Sequence, residues 1–301
     1  MGKECNGGLD GWIFFTGLAK LAKMITIRNL VKDYKGLRAL NGINLDVHEG
    51  EVFAYLGPNG SGKTTTIKIL AGITRPSSGQ AVLNGFDIER EPITAKFQCG
   101  YVPQATNLDA ELTVYENLDI HGMLFSMNRR KREEKIAGLL DYVGMTQRRD
   151  SLIRELSGGM KRRIMVARAL MHEPRILFLD EPSIGLDPNI RRKIWALVKK
   201  IKMDGATVFL TTHYIEEAEF LADRVAFLDY GRIVAIDTPS RLMAGLGTWA
   251  IDEITDNRIE THYFKDQEAA RVYIAKSGAA LTLRRVNLED AFVALTGKKV
   301  K

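Results

Sequence analysis

The chain has 301 residues, 45% of them hydrophobic, which is enough to bury a large core without disulfides. Its two cysteines, Cys5 and Cys99, have neither disulfide nor metal-ligand spacing, so we expect a reducing, cytoplasmic compartment. The net charge of +6 is modest and is compatible with an anionic membrane surface, with nucleic acid or simply with solubility. No segment reaches the length of a transmembrane helix.

Residues 1–23 are predicted to be an N-terminal extension. The apolar stretch Trp12–Ala19 is short, is soon followed by Lys20 and Lys23, and has no clean small-residue cleavage site after it. We therefore expect a disordered tail, with an amphipathic segment that touches a membrane or a partner as the alternative.

Strand patterns begin at Met24. Met24–Tyr34 and Gly42–Val47 alternate apolar and polar residues, which predicts an antiparallel pair. The continuous apolar run Glu51–Leu56 predicts a buried strand, and Val82–Asn84 predicts another short one.

A glycine-rich loop follows the Glu51–Leu56 strand and precedes a predicted helix, Thr65–Ala71. Its pattern, GxxxxGK[ST], is that of a phosphate-binding loop, in the strand–loop–helix context that phosphate binding requires. Glycines let successive backbone N–H groups point at phosphates, and the helix N-terminus adds a partial positive charge. We expect the lysine to reach the β- and γ-phosphates and the threonine to ligate Mg²⁺. The loop residues are Gly57, Pro58, Asn59, Gly60, Ser61, Gly62, Lys63 and Thr64.

The region from about residue 105 to 165 is predicted to be a helical insertion. Leu, Glu, Arg and Met recur there at helical spacing, with Asn117-Leu118 and Leu139-Leu140 on apolar faces. The basic run Arg129–Arg132 is followed at once by two glutamates, so we expect a solvated helix face rather than a nucleic-acid site.

After the insertion, strands and helices alternate, which predicts the α/β class with a largely parallel sheet between helices. The predicted strands are Arg175–Leu179, Ala206–Thr211, Val225–Asp229 and Arg232–Ile236, and the predicted helices are Lys161–Leu170, Arg191–Lys202 and Tyr214–Ala222.

Residues 241–301 are predicted to form a small, separate α+β appendage without a catalytic constellation. Asn287 has the position of a helix N-cap, and Gly297 lies just beyond the end of that helix. The predicted strands are Thr248–Ile254, Thr261–Lys265 and Leu281–Val286, and the predicted helices are Glu268–Lys276 and Leu288–Leu295.

The apolar run from Ile176 ends in two acids, Asp180 and Glu181. A carboxylate at the end of a strand beside a phosphate loop commonly holds Mg²⁺, so we assign that role to Asp180. Side chains alternate along a strand, so Glu181 points elsewhere and is placed to act on an attacking water as a general base.

A second anion-binding helix start precedes this strand. Ser157 is followed by Gly158 and Gly159 and then by a helical run, the arrangement of an N-cap whose free N–H groups attract negative charge.

Together these segments resemble the nucleotide-binding subunit of an ATP-binding-cassette (ABC) transporter over roughly residues 24–238. Gly57–Thr64 resembles the Walker A loop, Ile176–Asp180 the Walker B strand, and Leu156–Met160 the signature motif. The resemblance implies a P-loop NTPase fold with a parallel core sheet, an antiparallel β subdomain and a helical insertion, with ATP and Mg²⁺ as ligands.

Further residues resemble single positions of the family. Gln104 resembles the Q-loop glutamine, which implies a sensor of Mg²⁺ and water that faces the membrane partner. Asp187 lies in Gly185-Leu186-Asp187, which resembles the D-loop; His213 resembles the switch histidine, and Tyr34 the aromatic residue that stacks on adenine. The Walker A resemblance also brings Thr65 into the set of nucleotide contacts.

The sequence departs from the common family pattern at two positions. Met160 stands in the signature where Gln is commonest, and Ser183 stands after Glu181-Pro182 where Thr is common. Neither departure removes a phosphate ligand or the base.

The resemblance implies a head-to-tail dimer, with a second copy or with a homologous cassette. Ser157, Gly158 and Gly159 would donate to the γ-phosphate held by the facing copy, and Asp187 would link the two sites. A separate transmembrane permease subunit is then implied, which places the chain peripherally on the cytoplasmic face of the cell membrane. The short segment after residue 240 resembles exporter extensions, so we expect export.

Two alternatives stay open at this point. A soluble mechanical ATPase acting on ribosomes or DNA would share the fold, but such proteins carry two cassettes or a long coiled coil, and no aromatic-basic interleaving indicates nucleic acid. A non-catalytic regulatory cassette would be expected to lose Lys63, Glu181 or His213, and the chain retains all three.

Overall fold

The computed structural model describes residues 22–255, 258–277 and 280–297. Most of the predicted extension, residues 1–21, lies outside these ranges. The strands are β1 (Lys23–Tyr34), β2 (Leu37–His48), β3 (Val52–Leu56), β4 (Ser78–Leu83), β5 (Phe86–Asp87), β6 (Cys99–Val102), β7 (Ile176–Asp180), β8 (Thr207–Thr212), β9 (Arg224–Asp229), β10 (Arg232–Asp237), β11 (Trp249–Thr255), β12 (Arg258–Phe264) and β13 (Leu281–Arg285). The helices are α1 (Lys63–Leu70), α2 (Pro92–Phe97), α3 (Val114–Leu124), α4 (Arg129–Tyr142), α5 (Gly158–Ala169), α6 (Pro188–Met203), α7 (Ile215–Leu221), α8 (Pro239–Ala244), α9 (Gln267–Lys276) and α10 (Leu288–Thr296).

A six-stranded sheet in the order β10-β9-β3-β8-β7-β6 forms the centre of the molecule, and all its pairs are parallel except β10–β9. Alternate side chains of β3 enter different cores: Ala54 packs into one and Phe53 and Tyr55 into the other. Since successive side chains of a strand point to opposite faces, this sheet is buried on both sides, as the continuous apolar runs predict. The prediction of an α/β fold with a largely parallel core sheet is confirmed.

An antiparallel sheet in the order β2-β1-β4-β5 covers one of these cores. β1 and β2 pair as predicted, with Thr26 opposite Asp46 and Ile27 opposite Leu45. β2 starts at Leu37, earlier than predicted, because the reversal at Lys35–Gly36 is a tight turn, with Gly36 at φ 85°.

Helices α3, α4 and α5 form the predicted insertion, and Leu118, Leu139 and Leu140 are buried in its core. Asn117 is buried too, because its side-chain amide donates to the backbone carbonyls of Asp109 and Thr113 and so satisfies its polar atoms.

The basic run in α4 corrects one prediction. Arg129 and Arg130 make exposed i,i+4 ion pairs with Glu133 and Glu134, as a solvated face requires. Arg132 instead turns inward, where its largely buried guanidinium pairs with Asp119 of α3.

The C-terminal part of the described chain is a three-stranded antiparallel sheet, β12-β11-β13, with α9 on one side. Asn287 caps α10 through a reciprocal pair of hydrogen bonds with Asp290, and Gly297 ends that helix in the left-handed conformation, as predicted. Phe292 of α10 is fully buried against Phe227 of β9, so this helix packs into the core of the main sheet.

Four short elements were not predicted: β5, β6, α2 and α8. β6 is the most consequential, because Cys99-Gly100-Tyr101-Val102 is only four residues long and contains a glycine, so its sequence carries little strand signal. Gly100 is required there, since a Cβ would lie 2.3 Å from the carbonyl oxygen of Ala169.

Candidate nucleotide site

The glycine-rich loop lies between the carboxyl end of β3 and the start of α1, as the motif predicts. Gly62 is the N-cap of α1 with φ 106°, a conformation that side chains disfavour. Gly57 is confined by the neighbouring strand, because a Cβ there would lie 2.3 Å from the carbonyl oxygen of Leu228. These two glycines let the loop pack closely against the neighbouring strands at the start of α1.

A cavity of about 410 Å³ opens over this loop. Ten of the predicted site residues line it, together with Leu37, Ala39 and Ile184. The ten are Tyr34, Asn59, Gly60, Gly62, Lys63, Thr64, Thr65, Gln104, Glu181 and His213. The structure thus brings residues from five separate segments of the sequence to one place.

Lys63 is buried, and its ammonium is held by the loop itself. Nζ donates to the carbonyl oxygens of Gly57 at 2.7 Å and Pro58 at 3.2 Å, and it lies 3.4 Å from Glu181 Oε1. Burial lowers the pKa of Lys63, and the nearby Glu181 carboxylate offsets part of that shift. A polyanion would supply much better compensation for this desolvated cation than two carbonyl dipoles.

Asp180 ends β7, with its carboxylate facing the start of α1. Its Oδ1 accepts hydrogen bonds from Thr64 Oγ1 at 3.1 Å and from Thr211 Oγ1 at 2.6 Å. Thr211 was not predicted as a site residue. Its position directly opposite Asp180 on the parallel strand β8 is a matter of sheet register, which the sequence does not specify.

Glu181 leaves the strand with φ 51°, which a non-glycine residue rarely adopts. Its Oε2 lies 2.7 Å from His213 Nδ1 and accepts from the His213 backbone N–H at 3.2 Å. Its own backbone N–H donates to Thr211. The strained conformation turns the carboxylate from the sheet toward the cavity and the histidine.

Gln104 follows β6 and lines the same cavity, with its backbone held by α5. Arg162 donates to the carbonyl oxygens of Pro103 at 2.7 Å and Gln104 at 2.9 Å. Sequence reasoning missed Arg162, although it lies only three residues after the predicted Gly159. The sequence carries no signal for this contact, because nearly sixty residues separate Arg162 from the loop that it holds.

The signature residues and Asp187 lie apart from the cavity. Ser157 caps α5 by accepting from the Met160 N–H, and Asp187 caps α6 by accepting from the N–H groups of Asn189 and Ile190. A Cβ on Gly159 would lie 2.3 Å from Ile190, so the starts of α5 and α6 are in close contact. One chain therefore brings the Walker A loop and Glu181 together around the cavity. Ser157, Gly158, Gly159 and Asp187 of the same chain lie outside this cavity.

A larger cavity of about 700 Å³ lies elsewhere, lined among others by Tyr142, Arg175, Ile201 and Ala206. Arg175 and Ala206 immediately precede β7 and β8, so this cavity is at the amino ends of the strands and contains none of the predicted residues. Ligands of open α/β sheets bind at the carboxyl ends, which favours the smaller cavity.

Comparison with known proteins identifies the family. Residues 40–184 match the family described as "ABC transporter". The Nod factor export ATP-binding protein I of Cupriavidus metallidurans is 37% identical over 302 residues, covering 93% of this chain and 100% of the relative. This chain belongs to the ABC transporter family.

Other relatives of this ABC cassette are named for drug resistance. It is 39% identical to the daunorubicin/doxorubicin resistance ATP-binding protein of Streptomyces peucetius, with 86% of this chain and 77% of that protein covered. It is 40% identical to the linearmycin resistance ATP-binding protein of Bacillus subtilis, with 77% and 75% covered.

Solved ABC cassettes share the fold. One is a dimeric cassette in a post-hydrolysis state bound to ADP and Pi, with a TM-score of 0.65, 30% identity, and coverage of 71% of this chain and 98% of that chain. Another is an ATP-binding subunit of an ABC transporter, with a TM-score of 0.67, 30% identity, and coverage of 74% and 92%. The P-loop cassette fold is confirmed, and the chain is an ATP-binding and ATP-hydrolysing subunit.

Proposed function

We propose that this cassette hydrolyses Mg²⁺-ATP to power export through a separate transmembrane subunit, at the cytoplasmic face of the membrane. The observation that carries the proposal is the convergence of Lys63, Thr64, Gln104, Glu181 and His213 on one cavity beside Asp180. None of the helices in the described part of the chain has the length and apolarity needed to cross a bilayer.

The cavity suits a nucleoside triphosphate. Ser61 Oγ in the loop is buried and has no hydrogen-bond partner among the described residues, so a phosphate oxygen would satisfy it. Tyr34 is 42% exposed at the cavity beside Leu37 and Ala39, where an adenine ring can stack. We assign the phosphates to the loop from Gly57 to Thr65 and the base to Tyr34.

The donor set also fits Mg²⁺, which prefers hydroxyl and carboxylate oxygens. We assign its protein ligands to Thr64, Asp180 and Gln104. When bound, the ion would neutralise phosphate charge that develops during transfer of the γ-phosphoryl group.

Three side chains of the cavity have assigned roles in hydrolysis: those of Lys63, Glu181 and His213. Lys63 binds and orients the phosphates, whose oxygens replace the carbonyl oxygens of Gly57 and Pro58 as acceptors of its ammonium group. Glu181 accepts the proton of the attacking water as general base. His213 holds the Glu181 carboxylate through its Nδ1 and backbone N–H and faces the γ-phosphate position, which orients that base.

We propose that the complete site lies between two cassettes. The caps of α5 and α6 present Ser157, Gly158, Gly159 and Asp187 outside the cavity of their own chain, as expected if they meet a nucleotide bound by a facing copy. The partner is a second copy or a homologous cassette.

Light scattering on the Glu181→Gln variant tests this composite site. ATP should convert that variant from monomer to dimer, and adding Ser157→Arg should abolish the dimer while ATP binding to the monomer persists. The matched control is Ser151→Arg, a serine outside the signature in the same region of the sequence. A Glu181→Gln, Ser157→Arg protein that still dimerises with ATP would contradict the head-to-tail arrangement.

An exposed apolar surface supports the transmembrane partner. Ile93 of α2 and Leu124 of α3 are 73% and 74% exposed, and Phe97 and Met123 of the same two helices are also exposed. Phe97 of α2 makes an edge-to-face contact with Phe125, the residue that follows α3. We call Ile93, Phe97, Met123 and Leu124 the docking patch, and we propose that a cytoplasmic helix of the permease covers it.

The direction of transport is inferred from the relatives. Those reported above are named for Nod factor export or for resistance to daunorubicin, doxorubicin and linearmycin. We therefore propose export, with residues 24–240 as the catalytic cassette and residues 241–301 as a small C-terminal domain.

A further inference from the structure

A buried triangle of hydrogen bonds lies behind the catalytic segment. Oε1 of Glu217, on α7, accepts from Trp195 Nε1 on α6 at 2.9 Å and from the hydroxyl of Ser183, which follows β7. Trp195 Nε1 also lies 3.0 Å from Ser183 Oγ. Ser183 and Glu217 are fully buried and Trp195 nearly so, and none of the three lines the nucleotide cavity.

The burial of this carboxyl group is costly and therefore informative. Burial raises the pKa of Glu217, and hydrogen bonds from Ser183, Thr212 and Trp195 offset part of that shift. An apolar side chain of similar volume would fill the same space without desolvating a carboxyl group. What the carboxyl adds is direction, since it fixes its two donors at defined positions.

One of those donors belongs to the catalytic segment. Ser183 lies two residues after Glu181, in a tight turn where the Ile184 N–H donates to the Glu181 carbonyl and the Leu186 N–H to the Ser183 carbonyl. The Ser183 side chain ties this turn to α6 and α7. Glu181, the first residue of this turn, has the strained φ of 51°.

The acceptor belongs to the element that follows the switch histidine. Glu217 lies in the first turns of α7, four residues after His213, and the Glu217 N–H donates to the Tyr214 carbonyl. On the cavity side, Glu181 Oε2 lies 2.7 Å from His213 Nδ1. The hydrogen-bonded triangle thus fixes the spacing between the Glu181–Ser183 segment and the His213–Glu217 segment. The side chains of Glu181 and His213 meet on the side of these segments that faces the cavity.

We propose that Glu217 is a positioning residue for ATP hydrolysis: through Ser183 it holds the Glu181 segment in register with His213. This inference rests on the proposed role of Glu181 as the base. It also gives a role to Ser183, which departs from the common threonine but keeps the hydroxyl that Glu217 requires.

The test measures ATP hydrolysis and ATP binding in variants of the triangle. Ser183→Ala should lower kcat about 10- to 100-fold, since misplacing a catalytic group by about 1 Å can cost that much, while the Kd for ATP stays within about twofold because Lys63 and the loop are untouched. Ser183→Thr and Glu217→Gln keep the hydroxyl and an acceptor oxygen, so both should retain kcat within about threefold. Glu216→Gln, which changes an exposed carboxylate of the same helix, is the matched control.

A double variant separates positioning from general destabilisation. If Ser183 acts through Glu181, Ser183→Ala should cost less than about twofold when it is added to Glu181→Gln, measured by single-turnover hydrolysis. A Ser183→Ala protein with parental kcat, or a loss that persists undiminished in the Glu181→Gln background, would overturn the inference. An active Glu181→Gln protein would instead overturn the base assignment, so the two failures are distinguishable.

Discussion

Replacing Glu181 with glutamine removes the base and keeps the shape of the side chain. The amide can still lie near His213 and Lys63, where the carboxylate makes contacts of 2.7 Å and 3.4 Å, but it cannot accept a proton from water. General bases contribute about 10²- to 10⁴-fold to rates, which corresponds to about 3–5 kcal/mol of transition-state stabilisation. We expect kcat to fall by that factor.

The same change should spare ATP binding. Glu181 lies next to the Lys63 ammonium, and the neutral amide leaves that cation free for phosphate, so the Kd for ATP should stay equal or decrease. Single-turnover hydrolysis of labelled ATP measures the chemical step, and a fluorescent-nucleotide titration measures binding. The exposed Glu216→Gln variant is the control. A Glu181→Gln protein that hydrolyses ATP within about threefold of the parent would refute the assignment.

Three further predictions follow from buried groups. Lys63→Ala should weaken ATP binding by about tenfold or more in the same titration, because a charge-assisted bond contributes about 1.5–3 kcal/mol; unchanged affinity would contradict the placement of the phosphates. Phe292→Ala should lower the free energy of unfolding by about 3–5 kcal/mol in urea, because the ring is fully buried against Phe227, whereas the exposed Phe220→Ala should cost much less. Burial and nearby positive charge lower the pKa of His121 from 6.5 to about 4, so between these pH values the unfolded chain binds a proton that the folded chain does not bind. The free energy of unfolding should therefore fall as the pH drops from 6.5 toward 4. His121→Gln should lessen that fall, and an identical pH dependence in both proteins would contradict the prediction.

Much of the fold could be predicted because its signals are local. The strand–loop–helix order around Lys63, the apolar run that ends at Asp180 and the capped helix after Asn287 each depend on a few adjacent residues. β6 and α2 were not predicted because they are short: β6 has four residues, one of them a glycine, and α2 has six. Arg132 was placed on the wrong face because its partner, Asp119, is on a different helix.

The site divides in the same way. Residues within a motif could be named from the sequence, and the structure brings ten of them to one cavity. Arg162, Thr211 and the Ser183–Glu217 contact could not be named, since they join segments that are distant in sequence through sheet register and helix packing. These contacts hold the segments that carry the site residues, and none of them belongs to a sequence motif.

We propose that this cassette drives a membrane protein with ATP. Affinity purification of Glu181→Gln with ATP, from detergent-solubilised membranes and from cytosol, tests it most directly when the bound proteins are identified by mass spectrometry. We expect a stoichiometric multi-span membrane protein in the membrane fraction, and its loss when Ile93→Asp is added to the docking patch. Recovery of ribosomes, of DNA or of no membrane partner would contradict the transport function and favour a soluble mechanical ATPase.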